Sequence, residues 1–363
     1  MHPMESTRCA VGEMVRSAVC ACKPALIVGL VLIGVVSGCG GLTCQSAADI
    51  MAGLQWNPSS DHLVVTRASD GFDLLPAETD RRANPWDGVW ILSSDGRVVR
   101  RISREPGFAR WVGSGSLLVG SELSGVPVKD PSWELVDVTG RRMARVISEL
   151  PEVDAWQVSP DGQYLAYVGS WPEGEALRCS VVLYRFGERR TVARYDTRLT
   201  WRIAWSPDSR YLYGADDDRG WRVDVVGERL EYTPTSADAA FLPADADFGV
   251  NDAGQIVVVV SEPDERAGLK VIDWATGAEE HIVEGVFSGV AFGRDPNVFV
   301  CVKHVVAGEI VRVWVGRLRD GAWRLSEVQG VDAPYAVIGL SPDSKRLAYI
   351  GPDGSVKVVS IPR

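Results

Sequence analysis

One short unit recurs seven times along this 363-residue chain, and it restricts the architectures open to it more than any other feature. The clearest copies are WQVSPDGQYLAYVG from Trp156, IAWSPDSRYLYGAD from Ile203 and VIGLSPDSKRLAYIG from Val337. Weaker copies are LQWNPSSDHLVVTR from Leu54, ARWVGSGSLLVGSE from Ala109, GVNDAGQIVVVVSE from Gly249 and VAFGRDPNVFVCVK from Val290. The motif proline position falls at Pro58, Gly113, Pro160, Pro207, Asp252, Arg294 and Pro342, with spacings of 55, 47, 47, 45, 42 and 48 residues. A period in that range, filled with short strands, belongs to propeller blades of four strands each.

The physics of the unit is readable. A short apolar strand leads into a tight turn, where proline fixes φ, Asp accepts backbone N–H bonds, and Gly or Ser closes the geometry. A second strand of β-branched and aromatic residues follows, then a variable loop. Third strands such as Val181–Phe186 and Leu269–Trp274 come next, ending in Gly-containing hairpins such as Ala275-Thr276-Gly277 before a fourth strand. Apolar and polar residues alternate along these strands, as in sheets stacked on both faces. The expected fold is all-β: a single propeller over residues 51–363, of seven four-stranded blades, with six or eight as alternatives.

The Ser-Pro-Asp-Gly/Ser…Leu-Ala-Tyr pattern resembles the TolB-like propeller repeat over roughly residues 50–361. The resemblance implies the fold. It departs from TolB in lacking room for a separate α/β domain before the propeller and in having seven units where TolB has six.

A second feature sets the expected address. Residues Ala25 to Cys39 read ALIVGLVLIGVVSGC, with Arg16 and Lys23 ahead of them. The apolar run Ala25–Val36 is 12 residues, short of the roughly 20 a spanning helix needs. A basic flank, a short apolar core and small residues form a signal-peptide pattern. With a cysteine at the cleavage point, the segment resembles a bacterial lipoprotein signal, which implies lipidation of Cys39. The expected organisation is a signal peptide over residues 1–38, a lipid anchor and tether over 39–50, and export to a membrane facing the periplasm or cell exterior. Met14 would give a more usual signal length than Met1.

Composition bounds the partners. The chain carries a net charge of −10; removing residues 1–38 removes one net positive charge and leaves −11. An acidic chain argues against nucleic acid and anionic lipid as ligands, because both require clustered Lys and Arg. The cysteines after Cys39 are Cys44, Cys179 and Cys301, an odd number at wide spacing, which reads as free thiols.

No catalytic or cofactor motif emerges. The histidines after Cys39 are His62, His281 and His304, at non-equivalent positions in three repeats. A metal-dependent propeller lyase needs several histidines converging on one ion. Asp216-Asp217-Asp218 cannot all point at one ion, and Asp245 and Asp247 lack partners in sequence. Neither a nucleophile elbow, a haem site nor a phosphate loop is present. The Asp residues of the turns, Asp161, Asp208 and Asp343, read as turn formers. No metal or cofactor is expected, and the chain is expected to be non-catalytic.

The loops between second and third strands are longest in the first three units: Ala68–Gly88, Glu122–Trp133 and Ser170–Arg178. All open on one face, and long loops in compact domains are often functional. Trp86, Trp133 and Trp171, with Phe72, Arg81 and Arg82, are the candidate partner-binding residues, Trp and Arg being enriched at hot spots. The competing reading is that these aromatics pin the loops onto the propeller. The expected function is binding of an envelope protein or peptide by this face. The alternative is a carbohydrate-active or other hydrolytic enzyme, or a carbohydrate-binding protein, using the central funnel.

The last unit supplies three strands, AVIGLS, RLAYIG and SVKVVSI, and the expected fourth comes from residues 42–50. Deleting residues 42–50 is expected to lower the melting temperature sharply, because an unpaired sheet edge would be left; an unchanged melting temperature in a thermal scan would refute this closure.

Overall fold

The computed structural model describes residues 51–68, 88–104, 108–120, 128–129, 131–173, 176–197, 203–215, 220–232, 248–260, 267–306, 310–331, 333, 338–351 and 355–361. They fall in one compact unit, residues 49–69 and 83–363. The proposed signal, Cys39, Cys44 and the ring-closing segment 42–50 lie outside them.

Among the described residues there is no helix, and 27 of the 29 strands form the blades of a seven-bladed propeller. Blade 1 is β1 (Met51–Trp56), β2 (His62–Ala68), β3 (Gly88–Ser93) and β4 (Val98–Ser103). Blade 2 is β5 (Phe108–Val112), β6 (Ser116–Gly120), β8 (Ser132–Asp137) and β9 (Arg142–Ile147), with the two-residue β7 (Val128–Lys129) set apart. The linker strand β10 (Glu152–Val153) precedes blade 3: β11 (Ala155–Val158), β12 (Tyr164–Glu173), β13 (Ala176–Arg185) and β14 (Arg190–Thr197). Blade 4 is β15 (Ile203–Trp205), β16 (Tyr211–Ala215), β17 (Gly220–Asp224) and β18 (Arg229–Tyr232). Blade 5 is β19 (Phe248–Val250), β20 (Gln255–Val260), β21 (Gly268–Asp273) and β22 (Glu279–Glu284). Blade 6 is β23 (Val286–Phe292), β24 (Val298–Val306), β25 (Ile310–Arg319) and β26 (Ala322–Glu327). Blade 7 shows β27 (Ile338–Leu340), β28 (Arg346–Ile350) and β29 (Val356–Ser360). Every ladder is antiparallel and follows chain order within its blade, so seven units and seven sheets correspond.

The core is divided among the blade junctions. Seven apolar clusters each join two consecutive blades, and one of them joins blade 7 to blade 1 through Ala348, Val356 and Val358 against Trp56, Leu63 and Leu92. The first strands neighbour one another in a closed cycle, β1 meeting both β5 and β27. At that last junction Trp56 Nε1 donates to the Gly339 carbonyl at 2.9 Å, and the Arg346 guanidinium lies 4.8 Å over the Trp56 ring. In the described residues, closure is thus made by side-chain packing of blade 7 on blade 1.

The repeated turn has two jobs. Locally, Ser159 Oγ donates to Asp161 Oδ1 at 2.6 Å, Gln163 N donates to Asp161 Oδ1 at 3.0 Å, and Tyr164 N donates to Ser159 Oγ at 2.9 Å. Ser206 with Asp208, and Ser341 with Asp343, repeat the same set. Between blades, the third turn residue donates its backbone N–H to the next blade's turn. Asp161 N reaches Ser209 Oγ at 2.9 Å, Asp208 N reaches Asp252 Oδ1 at 2.8 Å, Asp295 N reaches Ser344 Oγ at 3.3 Å, and Asp343 N reaches Ser60 Oγ at 3.3 Å. The three accepting serines sit at φ of 61° (Ser60), 63° (Ser209) and 56° (Ser344), a region that disfavours side chains. Holding a residue there costs roughly 1 kcal/mol, which a hydrogen bond of about that strength offsets.

A second recurrence sets the fit within blades. Seven residues after the motif proline position, a small or medium side chain on the second strand faces tryptophan on the third. The pairs are Val65 with Trp90, Gly120 with Trp133, Gly214 with Trp221, and Cys301 with Trp314. In two of the blades whose third strand lacks Trp there, the second strand carries the bulk: Tyr167 faces Val182, and Tyr349 faces Lys357, whereas in blade 5 Val259 faces Leu269. A Cβ at Gly214 would lie 2.2 Å from Trp221 Cζ2, so no larger residue fits there unless the indole moves. We predict that Gly214→Ala lowers stability by about 1–3 kcal/mol in urea unfolding, the usual cost of overpacking; an unchanged midpoint would refute the small–Trp pairing.

Candidate functional site

The turns of the repeat mark one end of the propeller, and the connections between second and third strands mark the other. The opposite, loop-bearing end is where the sequence placed a partner. Of its candidate residues, Phe72, Arg81, Arg82 and Trp86 lie outside the described residues, as do Asp216, Asp217, Asp218, Asp245 and Asp247. Trp133 and Trp171 are described, and neither sits in a loop.

Trp133 is the second residue of β8, paired with Gly120. It is 2 % exposed and packs edge-on to Trp156 at 5.8 Å and against Tyr167 at 5.4 Å. Its indole is core, with no surface to offer a partner; the glycine opposite makes room for it. Trp171 lies on a strand because the ladder continues where the sequence suggested a loop: Ser170 pairs with Cys179, Trp171 with Arg178, Pro172 with Leu177 and Glu173 with Ala176. Blade 3 therefore carries a hairpin of two ten-residue strands. The Glu173–Arg178 ion pair sits near its tip. Beside it, β7 and β10 form a two-stranded ladder that the repeat pattern did not announce, pairing Lys129 with Glu152 and Val128 with Val153.

Trp171 is half-buried against the blade 2–blade 3 cluster and carries the Arg194 guanidinium 5.1 Å above its ring. Arg194 Nε donates to Ser180 Oγ at 3.3 Å, and Ser180 Oγ donates to Asp196 Oδ1 at 2.9 Å. Trp171, Arg194, Ser180 and Asp196 thus form one aromatic–polar array on the face toward blade 2. Sequence reading missed the last three because they come together only through the β12–β13–β14 register. Extending the alternation of β13 by one residue before Val181 would have brought Ser180 opposite Asp196.

On the other side of the same hairpin, Asp154 is 5 % exposed. Its Oδ2 accepts from Ser170 Oγ at 2.9 Å, and its Oδ1 has no hydrogen-bond partner among the described residues. Burial pushes its carboxyl up to about 6, Ser170 opposes that shift, and the charge of Glu152 adds to it.

Among the described residues, no comparable chemistry gathers around nucleophiles or metal ligands. His62 opens β2, His281 lies in β22, and His304 lies in β24 with its Nε2 at 2.9 Å from Ser288 Oγ. Burial lowers the His304 imidazole. Among the described residues, no group of three or more His, Cys, Asp or Glu could hold a metal ion. Cys179 and Cys301 are buried and in no disulfide, and burial pushes the Cys301 thiol up to about 12. In the ring of first strands, Arg110 lies between the rings of Phe108 (5.8 Å) and Trp156 (6.0 Å), its guanidinium pushed down to about 10 by burial. At the turn end, a groove of about 660 Å³ runs between blades 6 and 7, with Arg317, Arg319 and Lys345 facing Asp295 and Asp343.

The fold and these sites define a seven-bladed β-propeller. No family model matches the chain, and no curated protein matches it. Solved structures do. The chain is similar to an oligogalacturonate lyase in complex with manganese, at 13 % identity and a TM-score of 0.56, covering 87 % of this chain and 92 % of that one. It is similar to the β-propeller domain of Cps50 (Swd1) from Myceliophteria thermophila, at 15 % identity and a TM-score of 0.55, over 85 % and 96 % of the two chains. A chain of a mitotic checkpoint complex gives 12 % identity and a TM-score of 0.53, over 86 % and 90 %. At these identities the likeness is one of fold.

Asp154 gives a pH prediction. Its folded-state value lies above the usual carboxyl value, so the carboxyl's stabilising contribution is whole below about pH 4 and is lost as pH rises through about 6. Asp154→Asn is expected to be more stable than the wild type at pH 8, by up to about 3 kcal/mol, and no more stable at pH 4. Urea midpoints of both proteins across that range check it; a pH-independent difference would refute it.

Proposed function

We propose that this protein is a non-catalytic, lipid-anchored envelope protein that binds a protein or peptide through the loop-bearing end of its propeller. The observation that carries the reading is the raised hairpin of blade 3, flanked by the β7–β10 ladder, with Trp171 and Arg194 stacked on it. These features are concentrated at one side of one end, which favours an extended partner over a small ligand on the propeller axis. An indole capped by a guanidinium is a pairing of the residue types that dominate binding hot spots. Fold likeness offers both alternatives, since one neighbour is part of a checkpoint complex and another is a manganese-bound lyase. The dispersal of His62, His281 and His304 over blades 1, 5 and 6 weighs for the scaffold.

The TolB-like repeat and the lipoprotein signal ending in Cys39 support an exported, tethered protein. Lipidation at Cys39 would place the propeller at the membrane surface, where Trp86, Phe72, Arg81 and Arg82 of the blade 1 insertion remain candidate contacts alongside Trp171.

Crosslinking and capture of the membrane-anchored protein from its own cells tests the reading. The wild type is expected to capture a specific envelope protein, and Trp171→Ala/Arg194→Ala is expected to lose it while still folding, with a β-sheet circular dichroism spectrum and a cooperative melt at a lowered midpoint. Equal capture by both forms would move the site elsewhere, and no specific protein with either would favour a glycan or small molecule.

A further inference from the structure

We propose that the outer edge of blades 1 and 2 is a docking surface for an anionic lipid bilayer. The choice of occupant rests on the tether reading above. Its basis is a segregation of side chains that the net charge of −10 conceals.

Seven large apolar side chains are exposed among the described residues, and five of them gather here: Val98 and Val99 on β4, Val138 in the turn before β9, and Met143 and Ile147 on β9. Ile147 is 67 % exposed and Val99 is 55 % exposed. The segments that carry them, 95–104 and 134–147, hold seven arginines against three carboxylates. Each carboxylate is already engaged: Asp95 by Arg97, Asp137 by Arg141, and Glu134 by Arg142. Arg100, Arg104 and Arg145 have no carboxylate partner among the described residues. The two segments form one surface, because Arg100 Nη1 donates to the Thr139 carbonyl at 3.4 Å and Gly140 lies against the backbone of Ile102.

Edge strands are commonly guarded by charge, which would account for the arginines. It does not account for Val98, Val99, Met143 and Ile147, which an exposed edge should avoid. Cations interleaved with protruding apolar side chains are what a headgroup layer with negative charge takes up: phosphates pair with the guanidinium groups, and the apolar side chains enter the acyl boundary. The position along the chain agrees. Blade 1 is the first blade after Cys39, and the twelve residues from Cys39 to Met51 can span at most about 40 Å.

The test uses the full chain with Cys39→Ser, so that no acyl chain contributes and residues 1–50 are the same in every protein compared. Sedimentation with vesicles of equimolar phosphatidylcholine and phosphatidylglycerol, and of phosphatidylcholine alone, reads the partition coefficient. The parent is expected to prefer the anionic vesicles and to lose that preference at high salt. Arg100→Glu/Arg145→Glu should weaken anionic binding by roughly 25-fold or more, taking roughly fivefold for each lost cation. Val99→Ser/Ile147→Ser should weaken it as well, with melting temperatures unchanged in both variants. Equal partition of parent and charge-reversed protein would overturn the proposal. So would a parent dimer, seen by sedimentation velocity, that both variants abolish without any effect on vesicles. Labelling of the wild type with an alkyne fatty acid in cells reads the tether separately. Absent label with strip-dependent vesicle binding would remove the tether and leave the docking surface, and label with strip-independent binding would do the reverse.

Discussion

A four-stranded sheet with two apolar faces cannot cover itself, so each blade of this propeller takes its core from the blades on either side. The seven apolar clusters are shared in this way, and the set is complete only because one of them joins blade 7 to blade 1. The hydrogen-bonded turns follow from the same constraint. Sheets that slide freely would not keep Tyr213 of blade 4 against Trp274 of blade 5, or Trp56 of blade 1 under Arg346 of blade 7. The turn-to-turn bonds fix the slide, and Ser60, Ser209 and Ser344 accept an unfavourable backbone conformation to make them.

The fold was legible because its signal is repeated and local. Ser-Pro-Asp turns with alternating strands on either side announce a hairpin each time, and seven units at six similar spacings announce a blade count. The three strands of blade 7 were readable for the same reason. Strand ends were harder. Ser170 to Arg178 contains proline, glycine and charged residues, the usual marks of a loop, yet ten pairs of residues stay in register through it. Trp133 was misplaced because an aromatic next to a long insertion looks like part of it; its environment is decided by Gly120, thirteen residues earlier and across a ladder.

The candidate sites were less legible because they depend on which strands lie side by side. Asp154 and Ser170 are sixteen residues apart, as are Ser180 and Asp196, and only the sheet register joins them. Charge shows the same limit. Summed over the chain it is negative, and the sum hides arginines on the outermost strands of two adjacent blades. The aromatic–polar array near the blade 3 hairpin and the cationic edge of blades 1 and 2 occupy different parts of the molecule, so engagement of one does not require the other to be vacant.

The junction between blades 2 and 3 is bridged at the loop-bearing end. Gly162 approaches the backbone of Gly113 so closely that no side chain fits between them, and the described residues show no turn-to-turn hydrogen bond there. The strap made by β7 and β10 crosses at the far end of this same junction, and Trp133, Trp156 and Tyr167 fill the space between. This seam is clasped from above, whereas blades 3 to 4, 4 to 5, 6 to 7 and 7 to 1 are stitched at the turns below. Whatever lands on the blade 3 hairpin presses on a clasp that, among the described residues, has no turn-to-turn hydrogen bond beneath it.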